Sequence, residues 1–520
     1  MRRGWNRNVF LVLTGLIVVA ACSSSGSGKA TDTNTGNDAA TTVPEVTPAT
    51  QIVANTVPEG AQRIQLRQGP FPIGPGTNSI GITRTIPQPP IDGWIVGIST
   101  DLKLKDGTVP PVDKIHLHHG VWLNLAAKDT TDPGLPERFF AAGEEKTRVI
   151  LPPGYGYEYS TSDKWLLNYM LHNNLSEPDE VWVTYDIDLI PKDSAAAKNI
   201  KPAIPVWMDV QNGSTYPVFD VELGSGENGE YTYPDDAENP YPDGKQLNEW
   251  TVPFDGKLLS TAGHLHPGGL HNDLWVERAG ESEKAHLFSS IATYYEPAGP
   301  VSWDVSMSAT PEDWSVALKK GDTLSTTVTY ETEQAAWYES MGIMVVWMAV
   351  GDTTGDDPFA TDVAVQGVLT HGHLPENDNH GGEPDPDYQD LTKLPSREVP
   401  SGTVLPIADF VYVGDMLDAQ SVPAVKQGGT LTYRNDDDKL EIPHTVTSCE
   451  APCNKSSGIA YPLADGKPAF DSGEMGTFGL PANGSATWST PDDLPPGTYT
   501  YFCRIHTGMR GAFRVLEVEP

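Results

Sequence analysis

Apolar and polar residues alternate in short runs along most of the chain between residues 61 and 352. Two examples are Glu180–Ile187 and Thr323–Tyr330, in which β-branched and aromatic residues occupy many of the positions. A period of two with this composition is typical of half-buried antiparallel strands, and no long stretch shows a convincing helical period. The pattern therefore predicts an all-β chain.

Two segments interrupt this pattern. Gly224–Gly244 is rich in Gly, Pro, Asp and Glu and is predicted to be a long loop, and residues 353–399 form an acidic linker that contains Pro and His. The linker separates the large strand-rich region from a C-terminal domain, residues 400–520. A chain of 520 residues is also too long for one core, since about 150 residues per domain is usual.

The N-terminus has the layout of an export signal. A basic start precedes the apolar stretch Val9–Ala21, which is shorter than the ~20 residues that a membrane-spanning helix needs. Val19–Cys22 resembles the bacterial lipobox, which implies a signal peptide over residues 1–21 and a lipidated Cys22; ordinary cleavage nearby is the alternative. Residues 22–58 are rich in Ser, Thr and Gly and are predicted to be a disordered tether. The expected location is the outer face of the bacterial plasma membrane.

Acidic residues outnumber basic ones by 70 to 34, which gives a formal net charge of -36. Such a surface repels nucleic acid and anionic membrane surfaces, so neither is expected as the main partner. An acidic surface instead keeps an exported protein in solution, and contact with the membrane is expected through the lipid anchor.

Four residues near the C-terminus have the types and the spacing of a blue-copper site. Cys503, His506 and Met509 follow one another closely, and His444 lies about sixty residues upstream of the cysteine. One thiolate, two imidazoles and a weak axial thioether are the ligands of a type 1 copper, which transfers single electrons.

Two further cysteines, Cys449 and Cys453, form an isolated pair in a chain that is predicted to be exported. A small loop-closing disulfide is expected there, with a two-thiolate metal site as the alternative.

Residues 400–520 as a whole resemble the cupredoxins of the plastocyanin and amicyanin type. The short Cys503–Met509 loop is similar to that of amicyanins, and Phe470–Gly473 and Gly511–Val515 fit the same pattern. The resemblance implies a Greek-key β-sandwich with the copper ligands near one pole. Asn435 is expected to tie the two ligand loops together, although the acidic run that follows it lengthens this loop relative to the family.

Histidines are also grouped in the large region, and a methionine between two strand-like segments follows them. In chain order these residues are His116, His118, His119, His172, His264, His266 and Met341. Two histidines at positions i and i+2 of a strand project to the same face and can share one metal, as His264 and His266 would.

This order of residues resembles the copper type II, ascorbate-dependent monooxygenases, the family of peptidylglycine alpha-hydroxylating monooxygenase and dopamine beta-monooxygenase. Leu151–Gly156 and Leu167–His172 are similar to the family's approach to its lone His ligand. The resemblance implies two tandem antiparallel β-sandwich halves, residues 59–205 and 206–352. It implies one electron-transfer copper on His118, His119 and His172, and one oxygen-activating copper on His264, His266 and Met341.

Departures from this family limit what the resemblance implies. The family's disulfides are missing, and Ala262 replaces the basic residue that reads a peptide carboxylate, so peptide amidation is not implied. His116 alternates with His118, which leaves these two as an alternative pair of ligands. Met344 and Met348 are expected to be core residues of a strand.

The linker holds three more histidines, His371, His373 and His380. They are candidates for a further copper site or for a lid over one, and a polar linker with incidental histidines is the alternative.

The preferred function is that of an exported, lipid-anchored copper redox protein in which a type 1 copper domain is fused to a copper-dependent monooxygenase-like module. Copper is the expected cofactor, type 1 in the C-terminal domain and type 2 in the large region, and no catalytic residues are proposed beyond the metal ligands. A redox partner protein or a small reductant would supply electrons, and O2 would be the oxidant if the chain is an enzyme. The alternative is a non-catalytic electron carrier or copper-binding lipoprotein.

Overall fold

Strands and short 3₁₀ turns make up the regular structure of this chain. The computed structural model describes residues 48–518 except for 75–77, 176, 212–217, 242–247, 296–298, 375–388, 409, 413–419, 438–441, 450, 454–468, 474, 477–484, 505 and 507–508. Within these residues the 3₁₀ turns are Ala196–Asn199, Gly299–Val301 and Leu391–Lys393, and no helix is long and apolar enough to span a bilayer. The prediction of an all-β chain is confirmed. The predicted signal peptide, Cys22 and His380 lie outside the described residues.

Two sheets enclose the core of the first sandwich. Their strands are β1 (Gln62–Ile73), β2 (Asn78–Arg84), β3 (Gly93–Leu104), β4 (Ile115–Lys128), β5 (Pro136–Gly143), β6 (Arg148–Ile150), β7 (Tyr155–Tyr159), β8 (Trp165–Asn173), β9 (Asp179–Pro191) and β10 (Lys201–Pro202). One sheet has the order β1-β9-β3-β7-β10 with β6 beside β3, and the other has the order β2-β8-β4-β5. Ile187 of the first sheet and Trp122 of the second lie in the same apolar cluster.

A second sandwich follows directly. Its strands are β11 (Ile204–Asp209), β12 (Phe219–Val221), β13 (Glu230–Tyr233), β14 (Glu249–Thr251), β15 (Gly256–Ser260), β16 (Gly263–His264), β17 (Gly269–Glu277), β18 (Ala285–Tyr294), β19 (Val305–Ala309), β20 (Val316–Leu318), β21 (Thr323–Glu331), β22 (Trp337–Ser340), β23 (Ile343–Val350) and β24 (Val368–Leu369). The main sheets have the orders β11-β23-β15-β20, with β16 beside β23, and β13-β21-β17-β18-β19-β24, with β14 beside β21; β12 pairs with β22. Leu258 and Leu274 bring the two main sheets into one core.

Strand β23 belongs to two cores because both of its faces are apolar. Successive side chains of a strand point to opposite faces. One face of β23 lies in the core of the first sandwich, and the other lies in the core of the second. The first set is Ile343, Val345, Trp347 and Ala349, and the second is Met344, Val346 and Met348. The two sandwiches are therefore joined by continuous apolar packing, and Met344 and Met348 are core residues, as expected.

The third sandwich is built from the C-terminal part of the chain. Its strands are β25 (Ser396–Glu398), β26 (Thr403–Ala408), β27 (Val411–Tyr412), β28 (Val422–Lys426), β29 (Leu431–Asn435), β30 (Thr447–Cys449), β31 (Thr487–Ser489), β32 (Gly497–Phe502) and β33 (Arg510–Leu516). The sheets have the orders β25-β28-β33-β32-β30 and β27-β26-β29-β31, and Tyr433 and Phe513 meet in the core between them. Because β30 pairs with β32, the chain around His444 lies beside Cys503.

The segments predicted to be a tether and a linker are partly ordered. Ile52 forms a bridge with Leu369 of β24, and the Val53 N–H donates to the Leu369 carbonyl at 2.8 Å. Strands β24 and β25 both lie within residues 353–399. Strand β24 is an edge strand of a sheet in the second sandwich, and β25 is an edge strand of a sheet in the third. Main-chain hydrogen bonds to sheet edges order these segments, which composition alone does not reveal.

Candidate metal centres

Three side chains converge at one end of the third sandwich. The Nδ1 atoms of His444 and His506 are 3.2 Å apart, and they lie 4.0 Å and 3.7 Å from the Cys503 Sγ atom. A point equidistant from these atoms lies about 2.1 Å from each, which agrees with metal–imidazole and metal–thiolate bonds of ~2.0–2.3 Å. All three side chains are buried. The donor set and its spacing therefore fit a copper ion.

Met509 closes the loop that carries two of these ligands. The Cys503 N–H donates to the Met509 carbonyl at 3.1 Å, and the Met509 N–H donates to the His506 carbonyl at 2.8 Å. The Met509 side chain is buried in the same apolar core as Cys503. Its role as the weak axial ligand stays a prediction.

Hydrogen bonds to the sulfur support a thiolate at Cys503. The main-chain N–H groups of Thr445 and His506 each donate to the Sγ atom at 3.4 Å. Burial alone would raise the pKa of the Cys503 thiol, but the hydrogen bonds and charges of His444 and His506 outweigh it and hold this pKa well below its usual range.

Thr445 connects the loop of His444 to the loop of Cys503 by hydrogen bonds. Its hydroxyl accepts from the Arg504 N–H at 2.9 Å, so both its main chain and its side chain reach the loop of Cys503. Asn435, the residue expected in this role, donates to the carbonyls of Ile442 and Met475 at 2.8 Å each. Asn435 therefore fixes the loop that carries the first histidine.

A carboxylate sets the orientation of the first histidine. His444 Nε2 lies 2.7 Å from Asp437 Oδ2, which leaves Nδ1 facing Cys503. Burial would lower the pKa of His444, but Asp437 and the sulfur of Cys503 raise it to about 8. Phe410 covers both rings from the other side, with its ring centroid 4.9 Å from that of His506 and 5.9 Å from that of His444.

Cys449 and Cys453 form the expected disulfide, and Cys503 is the free cysteine of the described residues. The disulfide packs against Phe502, the residue directly before Cys503. The crosslink therefore supports the end of β32 and takes no part in metal binding.

The histidines of the first sandwich lie on adjacent strands. His116 of β4 is directly opposite His172 of β8, and a β-bulge at His118 adds one residue to β4. Bulges re-aim side chains, and the His118 ring lies 4.4 Å from the His172 ring. The ligand atoms of His116, His118 and His172 all lie within 4.8 Å of one another, and all three residues are buried.

This group differs from the predicted one in its third member. After the bulge His119 is paired with Met170, and His116 takes the place beside His118 and His172. His119 is instead close to His264: burial and then the charge of His264 lower the pKa of His119 to about 3. The bulge, which the spacing of residues does not reveal, decides between the two alternatives.

Two consecutive glutamates of the first sandwich hold the two histidines of the second. Glu144 and Glu145 directly follow β5 and are 1% and 0% exposed. His266 Nδ1 lies 2.8 Å from Glu144 Oε1, and His264 Nδ1 lies 3.0 Å from Glu145 Oε2. Nδ1 of each ring is bonded to a carboxylate, and Nε2 of each ring has no hydrogen-bond partner.

The two groups of histidines meet where the sandwiches meet. The rings of His118 and His266 are stacked with centroids 3.7 Å apart. Gly143 permits this approach, since a Cβ atom there would lie 2.3 Å from the His118 carbonyl oxygen and 2.8 Å from His264 Cε1. The histidines form one continuous cluster instead of one separate site in each half. We call it the seam cluster: His116, His118, His119, Glu144, Glu145, His172, His264 and His266.

Met341 lies beside this cluster through its main chain. The Tyr330 hydroxyl donates to the Met341 carbonyl at 2.8 Å and accepts from the N–H groups of Met341 and His266 at 3.2 Å and 3.1 Å. The Met341 side chain is buried in the core that joins the first two sandwiches. Its role as a sulfur ligand stays a prediction.

Several buried polar atoms of the seam cluster have no hydrogen-bond partner. They are both ring nitrogens of His118, Nε2 of His116, His264 and His266, and Oε2 of Glu144. Burial lowers the pKa of His116 to about 4, so its ring is neutral at pH 7, the form that binds metals. An unsatisfied buried polar atom costs about 1–3 kcal/mol, so this concentration of them favours a bound cation.

The two described linker histidines do not join a ligand group in the described part of the chain. His371 Nε2 bonds the Val305 carbonyl at 2.9 Å, and His373 Nδ1 bonds the Asp304 carboxylate. The neighbouring Trp303 has its ring centroid 4.3 Å from that of His116. His371 and His373 are therefore attached to Asp304 and Val305, next to the Trp303 ring that lies against His116.

Two small cavities lie beside the seam cluster. A cavity of about 20 Å³ is lined by residues that include His116 and Glu144, and one of about 10 Å³ is lined by residues that include His264. Each has room for about one water-sized molecule. A cavity of about 910 Å³ has Arg148 and Leu259 in its wall but no residue of the seam cluster.

Contacts join the copper-binding end of the third sandwich to the large region. The guanidinium of Arg504 lies 3.3 Å from the Asp471 carboxylate and 5.6 Å from the centre of the Trp337 ring. The Asp471 carboxylate also accepts a hydrogen bond from the Ala336 N–H. His506 is one of the groups whose charge lowers the pKa of His172, after burial and His116. The copper-binding end of the third sandwich therefore lies against the start of β22 in the second sandwich.

Several functional residues escaped prediction from sequence. These residues are Glu144, Glu145, Thr445 and Phe410. Asp437 belongs to the acidic run that follows Asn435, and the sequence does not indicate its contact with His444. Glu144 and Glu145 had a usable signal, because two acids directly continue the apolar run Phe139–Ala142. Thr445 and Phe410 had none, since their roles depend on contacts that the fold creates.

No protein-family model matches the chain, and no curated protein matches it either. Among solved structures, a reduced amicyanin mutant matches with 23% identity and a TM-score of 0.14, over 22% of this chain and 81% of amicyanin. The copper-containing nitrite reductase from Thermus scotoductus SA-01 matches with 13% identity and a TM-score of 0.16, over 51% of this chain and 55% of its own. The STIV MCP matches with 7% identity and a TM-score of 0.26, over 56% and 97% of the two chains.

At these TM-scores the matches carry no argument about function.

Proposed function

We propose that this chain is a copper redox protein in which a type 1 copper in the third sandwich exchanges single electrons with copper in the seam cluster. One observation carries the proposal: Cys503 Sγ and the Nδ1 atoms of His444 and His506 form a buried triangle with sides of 3.2, 3.7 and 4.0 Å. A soft thiolate with two imidazoles selects copper, which supplies one-electron chemistry when bound.

The residues around this triangle hold its shape in both oxidation states. Asp437 fixes the ring of His444, and the N–H groups of Thr445 and His506 stabilise negative charge on the sulfur. Ligands that are held in place by hydrogen bonds move little when an electron arrives or leaves. This rigidity is what a rapid electron-transfer site needs.

The seam cluster is the proposed partner of the type 1 site within the chain. His116, His118 and His172 offer three buried imidazoles that suit a type 2 copper. His172 is close enough to His506 for their charges to interact, so the path between the two ligand groups is short. A built-in donor would replace a diffusible reductant at the seam.

The chemistry proposed for the seam cluster is an oxidation that uses O2, as the monooxygenase resemblance implies. The cavities beside His116 and His264 are about 20 and 10 Å³, which favours a small molecule over a peptide-like substrate at this position. The same observation favours the second candidate, an electron carrier without a substrate. We further propose that the chain acts outside the cytoplasm on a lipid anchor at Cys22, for which the N-terminal sequence is the support.

The test is copper loading of the full chain, followed by visible absorption, electron paramagnetic resonance and oxygen uptake. We expect an intense visible band with a type 1 signal, and a separate type 2 signal. Cys503→Ser should remove the visible band and leave the type 2 signal. The matched control, Cys449→Ser with Cys453→Ser, should keep the band, and a band that survives in Cys503→Ser would overturn the proposal.

Oxygen uptake separates the two candidate functions. An enzyme should consume O2 when a reductant is added, and His172→Asn should slow the reoxidation of a pre-reduced type 1 site. A carrier should show the type 1 signal without oxygen uptake. Equal reoxidation rates in the wild type and His172→Asn would exclude the seam as the destination of the electron.

A further inference from the structure

We propose that the seam cluster holds a second metal ion, bound by His118, Glu144 and His266, in addition to the copper on His116, His118 and His172. The inference rests on the proposed function, because it takes that copper as the neighbouring metal. It adds a ligand, Glu144, and a site that is built from two sandwiches. The ligand class is a divalent first-row transition metal, since two imidazoles and one carboxylate suit copper, iron or zinc.

The three ligands come from different parts of the fold. His118 lies on β4 of the first sandwich, Glu144 follows β5, and His266 follows β16 of the second sandwich. Their exposed fractions are 3%, 1% and 3%, and their ligand atoms lie within 4.8 Å of one another. The site exists only when the two sandwiches are packed together.

Distances around Glu144 indicate metal ligands. His118 Nδ1 lies 3.6 Å from Glu144 Oε1, which is too long for a hydrogen bond but suits two ligands of the same ion. The other oxygen of Glu144 has no hydrogen-bond partner, and neither has His266 Nε2. Glu144 Oε1 also lies 2.8 Å from His266 Nδ1, so Oε1 and the Nδ1 atoms of His118 and His266 are the three atoms that can face one ion.

His118 is placed to join the two metals. Its ring is the middle one of three stacked imidazoles, 3.7 Å from the His266 ring and 4.4 Å from the His172 ring. Neither of its ring nitrogens has a hydrogen-bond partner, so both are available. His118 would then bridge the two ions as an imidazolate, with one ion on each nitrogen and its ring proton released to solvent when the metal binds.

The test is metal content after loading and desalting of the full chain, with copper(II), zinc(II) and iron(II) each supplied separately and iron under anaerobic conditions. Glu144→Gln and His266→Asn should each lose one equivalent of the second metal, and His118→Ala should lose two. The matched control Glu137→Gln changes a buried glutamate of β5 that bonds Tyr157 at 2.5 Å, and it should lose none. An unfolding temperature and a circular-dichroism spectrum like those of the wild type show that each variant is folded.

Unchanged metal content in both Glu144→Gln and His266→Asn, for all three metals, would overturn the second site. A loss of one equivalent in His118→Ala would overturn the bridge. The proposed function fails by a different result, which is a visible band that survives Cys503→Ser or a type 2 signal that survives His116→Ala.

Discussion

The proposed type 1 site and the seam cluster are both buried, rich in histidine and suited to copper, but they are assembled in different ways. The type 1 ligands belong to one sandwich, and His506 and Met509 lie on one loop closed by main-chain hydrogen bonds to Cys503. The seam cluster takes its residues from two sandwiches, and carboxylates of one orient the imidazoles of the other.

This difference determines what each site depends on. The type 1 site should follow the stability of the third sandwich, whereas the seam cluster should follow the packing between the first and second. A substitution outside both ligand sets can therefore disrupt metal binding at one site and leave the other unchanged. The substitutions with the largest expected effect are those of buried core residues.

Trp347→Ala should damage the seam and spare the type 1 site. Trp347 is 2% exposed on the face of β23 that packs into the first sandwich, and such a truncation costs about 3–5 kcal/mol. We expect loss of the type 2 signal with an unchanged visible band. Phe513→Ala, which removes a buried ring of the third sandwich, should do the reverse. Parallel loss of both signals in either variant would contradict the separation.

Gly143→Ala tests the close approach within the seam. The new Cβ would lie 2.3 Å from the His118 carbonyl oxygen, and overpacking of this kind costs about 1–3 kcal/mol. We expect a lower unfolding temperature and weaker metal binding at the seam. Gly497→Ala is the control, because its nearest neighbour would be 3.8 Å away. Equal unfolding temperatures in the two variants would show that the seam can relax.

The metal-free type 1 site should show a pH dependence that the seam does not share. Because the pKa of His444 is raised from 6.5 to about 8, its contribution to stability is fully present below pH 6.5 and is lost as pH rises through 8. This contribution of His444 to the unfolding free energy of chelator-treated protein should fall over the range by up to about 2 kcal/mol. Cys503 contributes in the opposite direction, because its lowered thiol pKa stabilises the folded state as pH rises, so the His444 contribution is measured as the difference between the wild type and a variant that lacks the Asp437 carboxylate.

Asp437→Asn should flatten this dependence, since Asp437 holds the ring of His444 at 2.7 Å. Asp436→Asn is the matched control; its carboxylate pairs with Arg434 and should leave the slope unchanged. Denaturant unfolding at several pH values measures both, and equal slopes in the two variants would assign the raised pKa to Cys503.

The smallest expected effect is that of Thr445→Val. The change removes the acceptor for the Arg504 N–H and keeps the main-chain bond to the sulfur, which should cost about 1 kcal/mol of stability and shift the visible band slightly. Thr432→Val removes a comparable hydroxyl pair with Ser489 on the surface and should be neutral. A neutral Thr445→Val would show that the loops are held by other bonds.

The sequence indicates the candidate copper ligands of the third sandwich because most of their relationship is local. Cys503, His506 and Met509 are fixed by spacing on one loop, and the alternation of β-branched and aromatic residues marks the strands that carry it. The same alternation predicts the all-β fold, because side chains on a strand repeat every two residues whatever the sheet order.

The seam could not be predicted in the same way. Whether His116 or His119 accompanies His118 depends on a bulge in β4, and the contact of Glu144 with His266 spans 122 residues. Spacing shows which residues can share a face of one strand, but the meeting of two sandwiches is decided by packing. For this reason the family resemblance implied two separate copper sites, one in each sandwich, whereas the fold brings the residues of both into one cluster.

The double role of β23 also limits how this chain can be divided. A fragment that ended after the first sandwich would lack the row from Ile343 to Ala349 and leave its own core open to water, and a fragment that began with the second would display that row to solvent. Either piece should aggregate when produced alone. For protein engineering the first two sandwiches are thus one module, and only the third is a sensible candidate for transplantation.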